Sequence, residues 1–357
     1  MKIKNLCSYA PKSKIKAGEA VENAKYLFFT SSADENKRYT DFQFDKEAII
    51  MGTGGNATLH YYNGKFSVST DCLVLLPNSK IKCKYLYYFF KSHMSVLEAG
   101  FKGAGLKHTN KKYIEEINIS EIPDLTTQEK IISHLDTISD NIEKLNRELE
   151  LFDSLTKARF VEMFGNPEIN SFDWPVCTLK ELVSFEPQNG LYKPQSAYVQ
   201  DGSGFPIVRI DAFYNGRITN FSALKRLECS ESEVQRYLLQ ENDIVINRVN
   251  SIEYLGKCAH IKGLLEETVF ESNMMRLHLD DTVMNAVFAT KLLCSQYIYK
   301  QIMIRAKKAV NQASINQQDV LSFRMFVPPL ELQEQFAAFV EQTDKSKYDD
   351  IRVEYKC

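Results

Sequence analysis

Basic and amide side chains are concentrated in two stretches of the chain, and these residue types can bind DNA. Residues 80–112 contain eight lysines and one acidic residue, Glu98, and residues 285–318 contain five basic residues and no acidic one. Lysine neutralises backbone phosphates and releases their counterions, which gives affinity without sequence preference. Arginine, asparagine and glutamine can pair with base edges. The two stretches therefore predict DNA contact, although the net charge of the whole chain is only −2.

Three loops combine these side chains with turn residues: 101–112, 247–257 and 305–318. Gly103 and Gly105 would let the backbone approach a ligand closely. The competing interpretation is that asparagine and glycine only form turns and that the lysines lie on a solvated surface. Recurrence in two places favours DNA binding. The candidate DNA-binding residues are Lys102, Lys107, His108, Asn110, Lys111, Lys112, Asn247, Arg248, Asn250, Arg305, Lys307, Lys308, Asn311 and Gln312.

Motifs typical of catalysis or metal binding are absent from the sequence. Residues 52–58, GTGGNAT, lack the lysine of a nucleotide-binding loop and fit a tight turn instead. The six histidines show no HExxH spacing, and the eight cysteines form no CxxC pair. We therefore predict no catalytic residue, no metal site and no cofactor in this chain.

A long central helix is predicted over residues 126–165. Its apolar residues alternate in steps of four and three, which is typical of a coiled-coil seam. Thr126 and Glu129 are predicted to form a capping box at its start, and Gly165 to end it. At 1.5 Å per residue the helix would be roughly 55–60 Å long, so we interpret it as a spacer. The seam residues are Ile131, Leu135, Ile138, Ile142, Leu145, Leu149 and Phe152.

The sequence contains two copies of one unit, because four blocks recur in the same order. In each copy an opening segment is followed by apolar strands, a helix, and a block with matching proline and Gln-Glu residues. A period this long indicates tandem duplication of a mixed domain. The paired blocks are 2–8 with 178–184, 47–77 with 242–279, 84–100 with 284–306, and 113–131 with 319–337.

Length and composition agree with a two-part protein. The chain has 357 residues, of which 44% are hydrophobic and 25% charged, values ordinary for globular domains. No apolar run is long enough to predict a membrane span, and the N-terminus lacks the apolar centre of a signal peptide. Scattered cysteines without pairs are typical of a reducing compartment, so we expect a cytoplasmic protein.

Residues 327–347, VPPLELQEQFAAFVEQTDKSK, resemble the end of the second repeat in specificity subunits of type I restriction–modification systems. Residues 155–167, LTKARFVEMFGNP, are also typical of that family, and the strand pairs of both repeats are similar to those of its target-recognition domains. The resemblance covers essentially the whole chain.

This resemblance implies an α+β fold with two tandem target-recognition domains, each followed by a long helix, and the two helices packing as an antiparallel coiled coil. The domains would be 1–125 and 166–329, with helices at 126–165 and 330–357. It also implies a non-catalytic subunit that recognises a bipartite sequence in double-stranded DNA. Methyltransferase (modification) subunits and motor/nuclease (restriction) subunits would dock on it and would hold S-adenosylmethionine, ATP and magnesium.

The C-terminal helix is where the sequence departs from the family pattern. Its seam becomes polar at Thr343 and Ser346, and residues 347–357 are predicted not to continue the helix. Three alternatives therefore stay open. The chain could be a coiled-coil scaffold that binds no DNA, an inactive or recombinable recognition cassette, or a stand-alone nuclease or methyltransferase, which the missing motifs disfavour.

Overall fold

The computed structural model describes residues 1–103, 105–218, 220–310 and 312–354, with residues 347–354 described by backbone alone. The predicted DNA-binding residue Asn311 lies outside the described residues. The chain divides into two compact units, unit 1 (residues 1–144) and unit 2 (residues 145–357). Each unit contains its own sheet and helices, in agreement with the α+β prediction.

Unit 1 is built on a six-stranded sheet with the order β1-β6-β4-β5-β2-β3. Successive residues of its central strand β4 enter two different cores: Ile49 and Met51 face one side, and Ala48 and Ile50 face the other. Both faces are covered, which explains the continuous apolar run in this strand. The strands are β1 (Cys7–Tyr9), β2 (Tyr26–Phe29), β3 (Arg38–Tyr39), β4 (Phe44–Gly52), β5 (Leu59–Val68) and β6 (Cys72–Pro77).

The helices of unit 1 cover one face of this sheet. Leu86 and Phe90 of the first helix are fully buried in the same core as Ile49 and Leu75. The helices are α1 (Cys83–Ser92), α2 (Met94–Glu98), α3 (Lys111–Glu116) and the first part of α4 (Leu125–Phe164).

Unit 2 contains several small sheets. The largest has the order β11-β12-β16-β14-β18-β8, and its central strand again alternates between two cores, with Ile244 and Ile246 on one side and Val245 on the other. The strands are β7 (Val176–Thr178), β8 (Gln188–Asn189), β9 (Tyr198–Val199), β10 (Phe205–Val208), β11 (Phe213–Tyr214), β12 (Gly216–Ile218), β13 (Lys225–Leu227), β14 (Ile244–Asn247), β15 (Val249–Asn250), β16 (Cys258–His260), β17 (Val269–Phe270), β18 (Met274–Leu277), β19 (Lys307–Lys308), β20 (Ala313–Ser314) and β21 (Arg324–Phe326).

The helices of unit 2 pack on this sheet together with the end of α4. Phe288 is fully buried in the main core, where it contacts Phe160 and Phe164 of α4. The helices are α5 (Glu231–Tyr237), α6 (Ala286–Leu293), α7 (Gln296–Arg305), α8 (Gln317–Leu321) and α9 (Leu330–Glu354). No helix of the described ranges is both long and apolar enough to cross a membrane.

The start of α4 differs from the predicted capping box. The carboxylate of Asp124 accepts hydrogen bonds from the Thr127 backbone N–H at 2.9 Å and from its hydroxyl at 2.8 Å, so Asp124 caps the helix. Glu129 instead forms an ion pair with Lys82 at 2.6 Å. The predicted Thr126–Glu129 capping box is therefore wrong, because the carboxylate of Asp124, two residues before Thr126, accepts from the free N–H group instead. The predicted end is confirmed, since Gly165 has φ +79°.

Two equivalent glutamines tie the long helices to their own units, which supports the predicted duplication. The Gln128 side chain accepts from the Lys82 N–H at 2.8 Å and donates to the Pro123 carbonyl at 2.8 Å. The Gln333 side chain accepts from the Asn285 N–H at 2.9 Å and donates to the Pro328 carbonyl at 2.8 Å. Both glutamines are fully buried, so each start of a long helix is fixed by the same contacts.

The long helices α4 and α9 contact each other inside unit 2. Phe336 of α9 lies 5.4 Å from Phe160 and 5.5 Å from Phe164, ring centre to ring centre. Arg159, the residue before Phe160 on α4, lies over the ring of Phe339, three residues after Phe336 on α9. The order of these contacts is that of antiparallel helices, as predicted.

The predicted seam residues are more exposed to solvent than the aromatic residues of this contact. Ile138 and Ile142 are each 53% exposed. The other five are half-buried: Ile131, Leu135, Leu145, Leu149 and Phe152. The aromatic contact thus lies beyond the predicted seam, at Phe160 and Phe164.

The prediction that residues 347–357 leave the helix is wrong for the part that is described, because α9 continues to Glu354. Residues 347–354 contain neither glycine nor proline, so the backbone meets no helix-breaking residue there.

We expect the stability of unit 2 to fall between about pH 6.5 and pH 4 because of His260. Burial, reinforced by the positive charge of Lys262, lowers the pKa of His260 to about 4. The unfolded chain therefore binds a proton in this range that the native state does not, so stability decreases as the pH falls, by at most about 3 kcal/mol. The measurement is urea unfolding at several pH values. His260→Gln should flatten the dependence, and an unchanged slope in this variant would contradict the assignment.

Candidate nucleic-acid interface

The predicted loop of unit 1 forms a hairpin closed by the pairing of residues 102 and 108, here called the first hairpin (residues 102–103 and 105–108). The N–H of Lys102 donates to the His108 carbonyl at 2.9 Å, and the N–H of His108 donates to the Lys102 carbonyl at 3.0 Å. Lys102, Lys107 and His108 are all exposed on it. The loop thus has a defined conformation that presents its basic residues to solvent.

The end of β4 holds this hairpin. The Gly55 N–H donates to the Lys107 carbonyl and the Thr109 N–H donates to the Thr53 carbonyl, each at 2.9 Å. A Cβ atom at Gly54 would lie 3.2 Å from the His108 ring, so a glycine allows this close approach. The GTGGNAT segment is therefore a support for the hairpin.

A neighbouring loop at residues 30–37 was not predicted from the sequence. The Ser31 hydroxyl accepts from the N–H groups of Thr53 at 3.1 Å and Gly54 at 3.3 Å, which places this loop beside the support of the hairpin. Lys37 donates to the hydroxyls of Thr30 at 3.1 Å and Ser32 at 3.0 Å. A run of Thr-Ser-Ser followed by Lys37-Arg38 between apolar strands was the available signal.

The remaining candidates of unit 1 follow the hairpin at the start of α3. The Asn110 side chain accepts from the Tyr113 N–H at 3.0 Å, so its oxygen caps the helix. Lys111 lies 3.6 Å from Glu115 and over the ring of Tyr9. Lys112 is exposed. These lysines extend the basic surface of the hairpin.

In unit 2 two predicted loops, distant in sequence, form one three-stranded sheet with the order β15-β20-β19. Lys307 pairs with Ser314 and Lys308 with Ala313, which forms the second hairpin (residues 307–310 and 312–314). Asn250 pairs with Ala313 from the other side. Lys307, Lys308 and Gln312 are exposed, and Arg248 and Asn250 are half-buried beside them.

Two predicted residues of unit 2 are engaged in the interior. Asn247 is fully buried, and its amide donates to the Tyr254 carbonyl at 2.9 Å. The Arg305 guanidinium donates to the Ser322 hydroxyl at 2.8 Å and to the Gln301 carbonyl at 2.9 Å. Both side chains hold the ends of the small sheet in place, so in this conformation neither presents its polar group to DNA.

Asp243 and His278 form an acid–base pair inside unit 2, with His278 Nδ1 at 2.8 Å from Asp243 Oδ1. The Gln240 N–H also donates to this carboxylate at 2.7 Å, and burial raises the pKa of Asp243. These bonds join the start of β14 to the end of β18. In the described part of the chain no group of three or more His, Cys, Asp or Glu side chains could hold a metal ion.

Each unit thus presents one hairpin whose basic residues are exposed. A two-stranded ribbon fits the major groove of DNA, which is about 12 Å wide. Lysines at the hairpin ends can contact the phosphates on either side of the groove, and the amide and imidazole groups are of the types that bond to base edges.

Comparison with known proteins identifies the class. The family described as "Type I restriction modification DNA specificity domain" matches residues 1–151 and 172–351. The chain belongs to this family. It is a non-catalytic DNA specificity subunit of a type I restriction–modification system.

Individual relatives agree with this assignment. The chain is 23% identical over 352 residues to the type I restriction enzyme EcoKI specificity subunit of Escherichia coli, covering 94% of this chain and 70% of that protein. It is 25% identical over 316 residues to the MjaVIII specificity subunit of Methanocaldococcus jannaschii, covering 84% of this chain and 72% of that one. The crystal structure of the S subunit from M. genitalium has the same fold, with a TM-score of 0.66 at 17% identity, covering 99% of this chain and 90% of that chain.

Proposed function

We propose that each unit recognises one half of a bipartite sequence in double-stranded DNA through its hairpin. The observation that carries this proposal is the recurrence of an exposed, lysine-bearing hairpin in both units, each followed by a short helix with an asparagine cap. A single basic surface could be a solvated face, but the same element in both repeats favours one shared role.

The side chains divide into three roles. Lysines would bind phosphates and set affinity: Lys102, Lys107, Lys111, Lys112, Lys307 and Lys308. Imidazole, guanidinium and amide groups would contact bases and set specificity: His108, Asn110, Arg248, Asn250 and Gln312. Asn110 would do so through its amide N–H groups, since its oxygen caps α3, and Arg248 through its terminal N–H groups, since its Nε donates to the Ser272 carbonyl. Asn247 and Arg305 would support the second hairpin from within, because the Asn247 amide N–H and the Arg305 guanidinium already donate hydrogen bonds inside unit 2.

The chemistry on DNA would be done by partners. Modification subunits that bind S-adenosylmethionine would dock on this chain and methylate the target, and restriction subunits that use ATP and magnesium would complete the nuclease. The exposed isoleucines of α4, Ile138 and Ile142, are available for such contacts. We place this assembly in the cytoplasm.

The test is co-purification with the cognate modification subunit, followed by genome-wide mapping of methylated bases. A stable complex that methylates two half-sites at a fixed spacing supports the proposal. A complex that methylates no defined sequence supports the inactive cassette. A chain that binds partner proteins but shows no salt-dependent affinity for DNA at low salt would be a scaffold, and the proposal would be wrong.

A further inference from the structure

The tips of both hairpins carry a strongly exposed aliphatic side chain. Leu106 at the tip of the first hairpin is 71% exposed, and Val310 at the tip of the second is 99% exposed. We propose that Leu106 and Val310 are apolar wedges that enter between neighbouring base pairs, one in each half of the target. This inference rests on the proposed function, since it concerns how the hairpins contact DNA.

The backbone of each hairpin presents this side chain in a defined position. In the first hairpin a Cβ atom at residue 103 would lie 2.8 Å from the Leu106 carbonyl oxygen, and Gly103 has φ +149°, so the turn depends on glycine. In the second hairpin the Ala309 N–H donates to the Gln312 carbonyl at 2.7 Å, which closes the turn around Val310. Both tips are therefore built turns.

Burial in the fold does not account for these two residues. Turn positions usually carry glycine, asparagine, aspartate or serine, whereas Leu106 and Val310 leave apolar surface in water. A single exposed aliphatic residue is common and carries no meaning alone. Here the exposure recurs at the tip of the same element in both repeats, and this recurrence carries the argument.

The charges around the tips favour DNA over a protein partner. Exposed Lys102 and Lys107 flank Leu106, and exposed Lys307 and Lys308 precede Val310. In DNA the stacked bases lie between two lines of backbone phosphates. The lysines on each hairpin can bind these phosphates while the aliphatic side chain leaves water and contacts the bases. Apolar wedges of this kind partly unstack a base step and bend the duplex.

A wedge also predicts a sequence preference that requires no hydrogen bond. Pyrimidine–purine steps unstack most easily, so we expect such a step where each tip enters. Specificity at that position would come from the deformability of the DNA.

The experiment uses the full chain in complex with its modification subunit and a duplex containing the mapped target. 2-Aminopurine is placed at successive positions of each half-site, and its fluorescence rises where a base loses its stacking partner. Apart from the base that the modification subunit extrudes for methylation, we expect a rise at one further step in each half-site. Leu106→Ser should abolish it in one half-site only and Val310→Ser in the other only, each with about tenfold weaker binding.

Ile169→Ser is the matched control, because Ile169 is 72% exposed but lies on neither hairpin. It should leave fluorescence and affinity unchanged. The inference is overturned if the wild-type complex binds its target with no rise beyond that at the extruded base, or if the tip variants keep the further rise. It is also overturned if they weaken association with the modification subunit and leave DNA binding intact. Absence of target binding by the wild type would instead refute the proposed function.

Discussion

Replacing Phe336 with alanine is expected to lower the free energy of unfolding of unit 2 by about 3–5 kcal/mol. The ring is fully buried and lies between Phe160 and Phe164 of α4, so its removal leaves a cavity at the contact between the long helices. Trp174 is the single tryptophan of the chain, packs against this core, and donates to the Phe164 carbonyl at 2.9 Å. Urea unfolding followed by tryptophan fluorescence therefore reports on unit 2.

Tyr192→Ala is the control for this measurement, since it removes an aromatic ring that is exposed. We expect it to change the free energy of unfolding by less than about 0.5 kcal/mol. If Phe336→Ala were equally mild, α9 would not be held by the aromatic contact with α4.

Replacing four hairpin lysines with glutamine is expected to weaken DNA binding on the order of 100-fold at low salt. The four are Lys102, Lys107, Lys307 and Lys308. Each phosphate contact contributes about 0.9 to the slope of log affinity against log salt, so the slope should fall by up to about 3.6. Binding is measured by fluorescence anisotropy over a range of salt concentrations. The preferred sequence should not change, because phosphate contacts carry no base information.

A control variant with the same change in charge separates the hairpins from the general charge of the protein. It replaces four exposed lysines that lie on neither hairpin: Lys46, Lys130, Lys157 and Lys180. We expect this variant to keep most of the salt dependence. Equal losses in both variants would show that the hairpins have no special role in binding.

The long helix and the duplication could be predicted from sequence because their signals are local or repeated. A stripe of apolar residues and a terminal glycine define α4 to within one residue at its C-terminal end, where it stops at Phe164. Gln128 and Gln333 are the same residue type at the same place in the two repeated blocks, and such matches indicated the duplication. The cap was missed because Asp124 and Thr126 are both good capping residues, and only the backbone conformation selects between them.

The interface was predicted less completely because its geometry depends on distant contacts. Asn247 ends an apolar strand, so from the sequence its side chain could face either the interior or the solvent. Its hydrogen bond to the Tyr254 carbonyl holds it in the interior. Arg305 donates to Ser322, a residue that follows the second hairpin in the sequence. The loop at 30–37 joins the site through Ser31, which contacts residues more than twenty positions later. Composition and spacing contain none of this information.

The two hairpins also differ in when they can form during synthesis. The first pairs residues 102 and 108 and rests on Gly54, so all its partners precede α4 in the chain. The second requires β15 at Val249 to pair with β20 at Ser314. Because the chain leaves the ribosome from its N-terminus, the first hairpin can be complete while the central strand of the second sheet is still untranslated. Under the proposed function, a nascent chain would bind one half of the target before it could bind the other.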